Sequence, residues 1–296
     1  MKQLILIASF FTAMLSAQTH RFIYDYKYVP DPAKKDSVVE EAMALDITDK
    51  GSKFHSYVKL QADSILQAQI QEQMKSGNMN MNLKGTKMGT VRYSVTKDYP
   101  DFKMFLTTEL GTDQYKVEDN RKLNWVILDE KENVGKYTAQ KATTTFGGRE
   151  WTAWFTTDLP FQDGPFKFHG LPGLIVKLED KAGAHKFVLN GNKIIAEENK
   201  NSGVAGFRMS RNTISVNHDQ FMKAYKNYVA DPSRSYRQMF SGSSNSDVKV
   251  INVRTTMDGK EISQKDVISG IEKTAKSTQK ANENFIDLEF FKISKK

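Results

Sequence analysis

The sequence predicts an α+β protein, mainly β: a large twisted, mostly antiparallel sheet with a few helices, notably C-terminal, packed on it. Three observations carry this. Apolar and polar residues alternate with period two in many short segments, the period at which a pleated strand turns one face to a core. Those segments follow one another through short polar turns, without the strand–helix rhythm that builds a parallel sheet. Two stretches in the last third open with capping residues and continue with apolar residues at helical spacing.

Taken in order, the chain of 296 residues opens with Met1-Lys2-Gln3 and an apolar run from Leu4 to Leu15, broken only by Ser9 and Thr12 and ending in Ser16-Ala17. One basic residue, an apolar stretch too short to span a bilayer and a small residue at the end are the features of a secretory signal peptide. Residues 1–17 are therefore expected to be removed, and 18–296 to form one exported domain in the periplasm or outside the cell, without a lipid anchor. From Arg21 to Val29, Phe22, Tyr24, Tyr26 and Tyr28 share one side, Pro30 and Pro32 end the strand, and such a stripe reads as a buried sheet face rather than a ligand platform. Met43, Leu45 and Ile47, the turn Asp49-Lys50-Gly51, and Phe54, Val58 and Leu60 predict a hairpin. Ser64 with Gln67 resembles a capping box for a helix over 64–76, and Gly77 ends it. The run Asn78 to Asn82 reads as an adaptable loop whose thioethers, with Met74 and Met88, form the one soft-metal set worth weighing; no histidine supports it, and no metal is expected.

Between Val91 and Leu189 the pattern is of successive strands. Val91, Tyr93 and Val95 alternate, as do Phe102, Met104 and Leu106, while Leu123 to Leu128 is apolar on both parities and predicts a strand buried on both faces. Asp180 to Gly183 turns the strand over 174–179 back onto 185–189. Further on, Asn217 and Gln220 cap a helix with Phe221, Ala224, Tyr225 and Tyr228 on one stripe, and Pro232 stops it. Residues 241–247 read as a connector, Val248, Ile251 and Val253 as a strand, and Ser263 with Asp266 opens a helix bearing Val267, Ile271 and Ala275.

Composition narrows the function classes. There is no cysteine, which removes disulfides, thiolate metal sites and cysteine nucleophiles. The net charge of +8 comes from lysines spread along the whole chain, whereas nucleic-acid binding concentrates charge in a stripe, so no nucleic-acid partner is expected. No stretch beyond Ala17 is long and apolar enough to span a membrane as a helix, so the chain is not expected to be an integral membrane protein.

Residues 141–180 hold the most specific signal. Gly170 and Gly173 bracket Leu171-Pro172 ahead of Leu174-Ile175, a tight corner made by a preset proline φ and two residues without side chains. The hexapeptide Gly170-Leu171-Pro172-Gly173-Leu174-Ile175 resembles the signature of the GLPGLI family of exported proteins of Gram-negative bacteria. The strand from Arg149 to Trp154, the approach Asp163-Gly164-Pro165-Phe166-Lys167-Phe168, and Leu45-Asp46-Ile47 with Gly51-Ser52-Lys53-Phe54 are similar to the family's pattern as well. That resemblance implies a bowl-like sheet, related to the N-terminal domain of some secreted peptide N-glycosidases, and implies no established activity.

The expected function is a non-catalytic binding or accessory module of the cell envelope, with an envelope protein or a glycan as partner. Parity on the strand from Arg149 sets Trp151, Ala153 and Phe155 toward the core and Glu150, Thr152, Trp154 and Thr156 on the opposite face. Glu150, Thr152, Trp154 and His169 are the candidate ligand-binding residues, an indole to stack on a ligand beside groups to hydrogen-bond its edges; packing of Trp154 under a C-terminal helix is the competing reading. The hexapeptide Gly170 to Ile175 is assigned to architecture. A hydrolase would need a nucleophile beside a base, or paired carboxylates. No catalytic motif supplies them, and Glu150, Asp163 and His169 are the single trio to examine. An interaction partner of an outer-membrane or export assembly is the third reading. No cofactor is expected.

Overall fold

A computed structural model describes residues 18–76, 85–196, 213–241, 256–257, 260–261 and 263–293. Its centre is a twelve-stranded sheet in the order β12-β6-β5-β4-β3-β2-β1-β11-β10-β9-β8-β7. The strands are β1 (Gln18–Tyr28), β2 (Val39–Ile47), β3 (Gly51–Ser56), β4 (Ser94–Asp98), β5 (Lys103–Leu110), β6 (Asp113–Asp119), β7 (Val126–Val134), β8 (Tyr137–Phe146), β9 (Arg149–Thr156), β10 (Leu174–Asp180), β11 (His185–Ala196) and β12 (Thr213–Val216). Every neighbouring pair is antiparallel except β12 on β6. The mainly β, mostly antiparallel sheet with a few helices that the period-two pattern predicts is the architecture found.

The strand β1 joins two meanders, one running β2 to β6 and the other β7 to β11. Its Phe22, Tyr24 and Tyr26 are at most 3 % exposed. They share one core with Met43, Leu45, Phe54, Val95, Leu106 and Val117 from one wing, and with Trp151, Ala153, Phe155, Leu178 and Phe187 from the other. Phe166, Phe168 and Leu171 from the loop before β10, Phe221 and Tyr225 from α2 (His218–Ala230), and Ile286 and Phe290 near the end of the described chain close that core. The opposite face carries cross-strand ion pairs such as Lys27–Glu40 at 2.6 Å, Lys141–Glu130 at 2.7 Å and Lys177–Glu132 at 2.9 Å.

The helices are α1 (Tyr57–Ser76), α2, α3 (Arg234–Ser241) and α4 (Gln264–Asn282). Both late capping boxes form as expected, Asn217 with Gln220 and Ser263 with Asp266, and Lys273, Lys276 and Lys280 of α4 are exposed. The first helix differs from expectation. It starts straight from β3, where the Ser56 hydroxyl accepts the Lys59 amide at 3.0 Å, while the Ser64 hydroxyl donates back to the Leu60 carbonyl. Val58 and Leu60 are thus helical, because a serine within a helix satisfies itself on the preceding turn as readily as a serine at a cap.

The reading of Leu123 to Leu128 as a strand buried on both faces is also corrected. Strand β7 is the edge of the sheet, Val126 and Ile127 are 60 % and 46 % exposed, and Leu123 and Trp125 precede the strand and pack on the core. Phe102 lies in the turn before β5 with φ of 52°. Of the thioether set, Met79, Met81 and the side chain of Met74 lie outside the described residues, as do residues 1–17 and the expected strand at Val248 to Val253.

Candidate functional site

Strand β9 puts its residues where the period requires. Trp151, Ala153 and Phe155 enter the core, and Glu150, Thr152 and Trp154 face the other way. On that outer face the register sets Lys141 beside Trp154, Thr143 beside Thr152 and Thr145 beside Glu150, with Lys177 and Glu179 of β10 across from Trp154 and Thr152. Glu150 is tied to Lys181 at 2.9 Å, both side chains well exposed. Two shallow depressions of about 330 Å³ each meet at this ion pair. One is walled by Asn124, Val126, Thr143, Thr145 and Thr152, the other by Gly148, Arg149, Asp180, Ala182 and Leu288.

Trp154 differs from an open platform. It is 8 % exposed and packs with Val134, Ala139 and Val176 in a small second cluster, with the Lys141 and Lys177 ammonium groups over its ring at 5.9 and 5.6 Å. Among the described residues the β7–β8 hairpin and β10, and not a C-terminal helix, supply its cover. Val176 reaches this cluster because β10 breaks register between Ile175 and Lys177. Leu174 and Leu178 consequently stay in the main core while Val176 turns away, although simple parity groups all three.

His169 lies apart from that face. Its ring stacks on Phe102 at 4.6 Å and 9°, and its Nδ1 lies 2.9 Å from the Lys167 carbonyl; since a carbonyl only accepts, Nδ1 carries the proton. Burial, then the nearby Lys97 charge, holds the imidazole below its usual range. The His169 carbonyl accepts the Trp125 indole N–H at 2.8 Å. Asp163 is wholly buried on Lys97, so Glu150, Asp163 and His169 do not assemble into an acid/base group. In the hexapeptide, Gly170 has φ of 90°, Leu171, Leu174 and Ile175 are buried, and Pro172 is exposed.

Sequence reasoning missed the buried charges that hold this loop. Lys97 and Asp163, both 0 % exposed, lie 2.5 Å apart, and the Tyr99 hydroxyl donates to the second Asp163 oxygen at 2.5 Å. Lys167 meets Asp119 at 2.6 Å and Asp287 at 2.9 Å, and Arg121 closes on the same two carboxylates. Burial works to raise Asp119 and Asp287, but Arg121 and Lys167 outweigh it and hold both below the usual carboxylate range. Arg149 binds Asp180 and Asn284, and His185 bridges the Tyr26 hydroxyl and the Asn284 carbonyl. The local signs were a lysine at an apolar parity, Lys97 between Val95 and Tyr99, and a lysine flanked on both sides by phenylalanine, Lys167 between Phe166 and Phe168. Among the described residues no cluster of His, Asp and Glu has the grouping of a metal site, and no helix is long and apolar enough to cross a membrane.

Residues 144–177, from late β8 into β10, match the model of a protein family of unknown function named Porph_ging. The match encloses β9, the Lys167 loop and the whole hexapeptide. Two solved structures of PNGF-II are similar: one in the C2 space group at 14 % identity and a TM-score of 0.45, covering 69 % of this chain and 32 % of that one, and one in P21 at 15 % and 0.47, covering 73 % and 34 %. The chain therefore spans about a third of the length of PNGF-II. No curated protein matches.

Proposed function

We propose that residues 18–296 form one exported, non-catalytic binding module of the cell envelope, a member of the GLPGLI family, whose ligand is a glycan held on the outer face of β8 and β9. The signal-like leader and the intact hexapeptide support export and family. A hydrophobic core drawing residues from Phe22 to Phe290 supports a single folding unit. The observation that carries the ligand reading is the pair of depressions meeting at Glu150 and Lys181, one of them lined by Thr143, Thr145 and Thr152. Hydroxyls on a rigid sheet match the spaced donors and acceptors of a sugar edge. The central ion pair is exposed and so contributes at most ~1 kcal/mol; a ligand can replace it at little cost. Trp154 then serves as the packed support beneath Lys141 and Lys177, and His169 as a buttress of the loop.

A glycan array probed with the purified protein tests this. Retained glycans should bind about tenfold more weakly to Thr152→Val and to Glu150→Gln, the loss expected for one hydrogen bond to a charged or well-placed group. Undiminished binding by both variants would remove the site. Capture of an envelope protein in place of a glycan, abolished by Ile127→Lys on the exposed edge of β7, would assign the face to a protein partner.

A further inference from the structure

We propose that Lys97 and Asp163 condense into an intramolecular isopeptide bond, a covalent cross-link from β4 to the loop that leads into the hexapeptide. It is a modification site independent of the glycan reading.

The two side chains are wholly buried and 2.5 Å apart. Among the described residues Asp163 has no second cation in ion-pair contact, whereas Lys167 faces two carboxylates and shares them with Arg121. A lone ion pair removed from water gains by passing its proton across and becoming a neutral amine beside a neutral acid. In keeping with this, burial holds the Lys97 ammonium below the usual lysine range against the pull of Asp163.

The surroundings then fix the nucleophile. Nζ donates to the Gly164 carbonyl at 2.8 Å and to the Phe168 carbonyl at 3.2 Å. Once the third proton has moved to Asp163 Oδ1, both remaining N–H bonds are occupied by those carbonyls, and the lone pair lies along the direction the proton left, toward the carboxyl group. The electrophile is prepared as well. The Tyr99 hydroxyl donates to Oδ2 at 2.5 Å, where negative charge develops on addition. Burial first, and Asp163 second, push the phenol above its usual range, so it stays a donor. The Gly164 amide donates to Oδ1, the departing oxygen, at 2.6 Å.

The atoms balance without any co-reactant. Nζ adds to Cγ, the oxyanion on Oδ2 is held by Tyr99, an Nζ proton passes to the Oδ1 hydroxyl, and the Cγ–Oδ1 bond breaks with water as the leaving group. The amide keeps one N–H, which donates to a flanking carbonyl. With both residues sealed from solvent, expelled water does not return to hydrolyse the product. In a chain with no cysteine, such a bond supplies the covalent constraint on the unfolded state that a disulfide gives elsewhere.

The test is a tryptic digest of the denatured full-chain protein, read by mass spectrometry. Expected is no cleavage after Lys97, and a branched species joining peptide 93–103 to peptide 150–167, lighter than their sum by one water. Asp163→Ala should restore cleavage after Lys97, a readout that survives even if that variant folds poorly, because digestion follows denaturation. Full recovery of free peptide 93–97 from the unaltered protein overturns the proposal.

Discussion

Gly173 shows what one residue of the hexapeptide does. A Cβ built there would lie 2.1 Å from the Thr156 carbonyl oxygen of the neighbouring strand, a backbone atom with nowhere to go. Gly170 is the opposite case: its φ of 90° suits glycine, yet nothing lies within 4 Å of an added Cβ. Gly173→Val should therefore cost about 3 kcal/mol or more, lowering the melting temperature by roughly 6 °C or more, while Gly170→Ala should cost about 1 kcal/mol and only a few degrees. Equal melting points for the two variants would contradict this difference in mechanism. The sequence pointed to the corner and to Gly173, but for backbone conformation; the real cause, close approach to Thr156, belongs to a strand pairing that no local pattern contains. The pairing of Lys97 with Asp163 was illegible for the same reason, because the two are distant along the chain.

At the scale of elements, the legible features were those written in a single segment. The capping boxes at Asn217 and Ser263 and the β1 stripe follow from spacing alone, and they are found as read. The bulge in β10 and the edge position of β7 depend on which strand lies alongside, which periodicity does not encode. Charge along β7, from Asp129 to Glu132, is the signal that could have placed it at the edge, since exposed edges are guarded by charged residues.

The segment after α4 is likewise attached by partners far away in sequence. Lys167 and Arg121 grip Asp287, Arg149 grips Asn284, and the Leu288 amide donates to the Gly147 carbonyl. Lys167→Met leaves two buried carboxylates sharing Arg121 alone, a loss of about 3–5 kcal/mol. Hydrogen exchange should show faster opening of residues 284–291 in that variant, with Asp287→Leu added in the double variant recovering part of the protection. Unchanged protection of the segment would mean that the ion cluster does not hold it.

The whole molecule carries an acid dependence. His185 is 1 % exposed; its Nε2 must donate to the Asn284 carbonyl, so Nδ1 accepts from Tyr26, and the ring is neutral. Burial first, and then Arg149, lower its pKa from 6.5 to about 3. The unfolded chain thus binds a proton that the folded one refuses between those values. Stability from this residue is complete above pH 6.5 and falls as pH drops toward 3, by about 1.4 kcal/mol per pH unit. Asp119 and Asp287, held below 3.8, add their own loss only at pH values under that figure. Denaturant midpoints measured across the interval should decline steeply, and His185→Gln should flatten the decline; a flat profile in the unaltered protein would refute the neutral buried ring.

Because β1 is hydrogen-bonded to β2 on one edge and to β11 on the other, the two half-sheets have no direct seam between them. Assembly therefore waits on a rendezvous between the first and eleventh strands, the costliest loop closure in the sheet. Excision of β1 would leave two half-sheets still tethered through the chain from β6 to β7, each with a raw, adhesive flank.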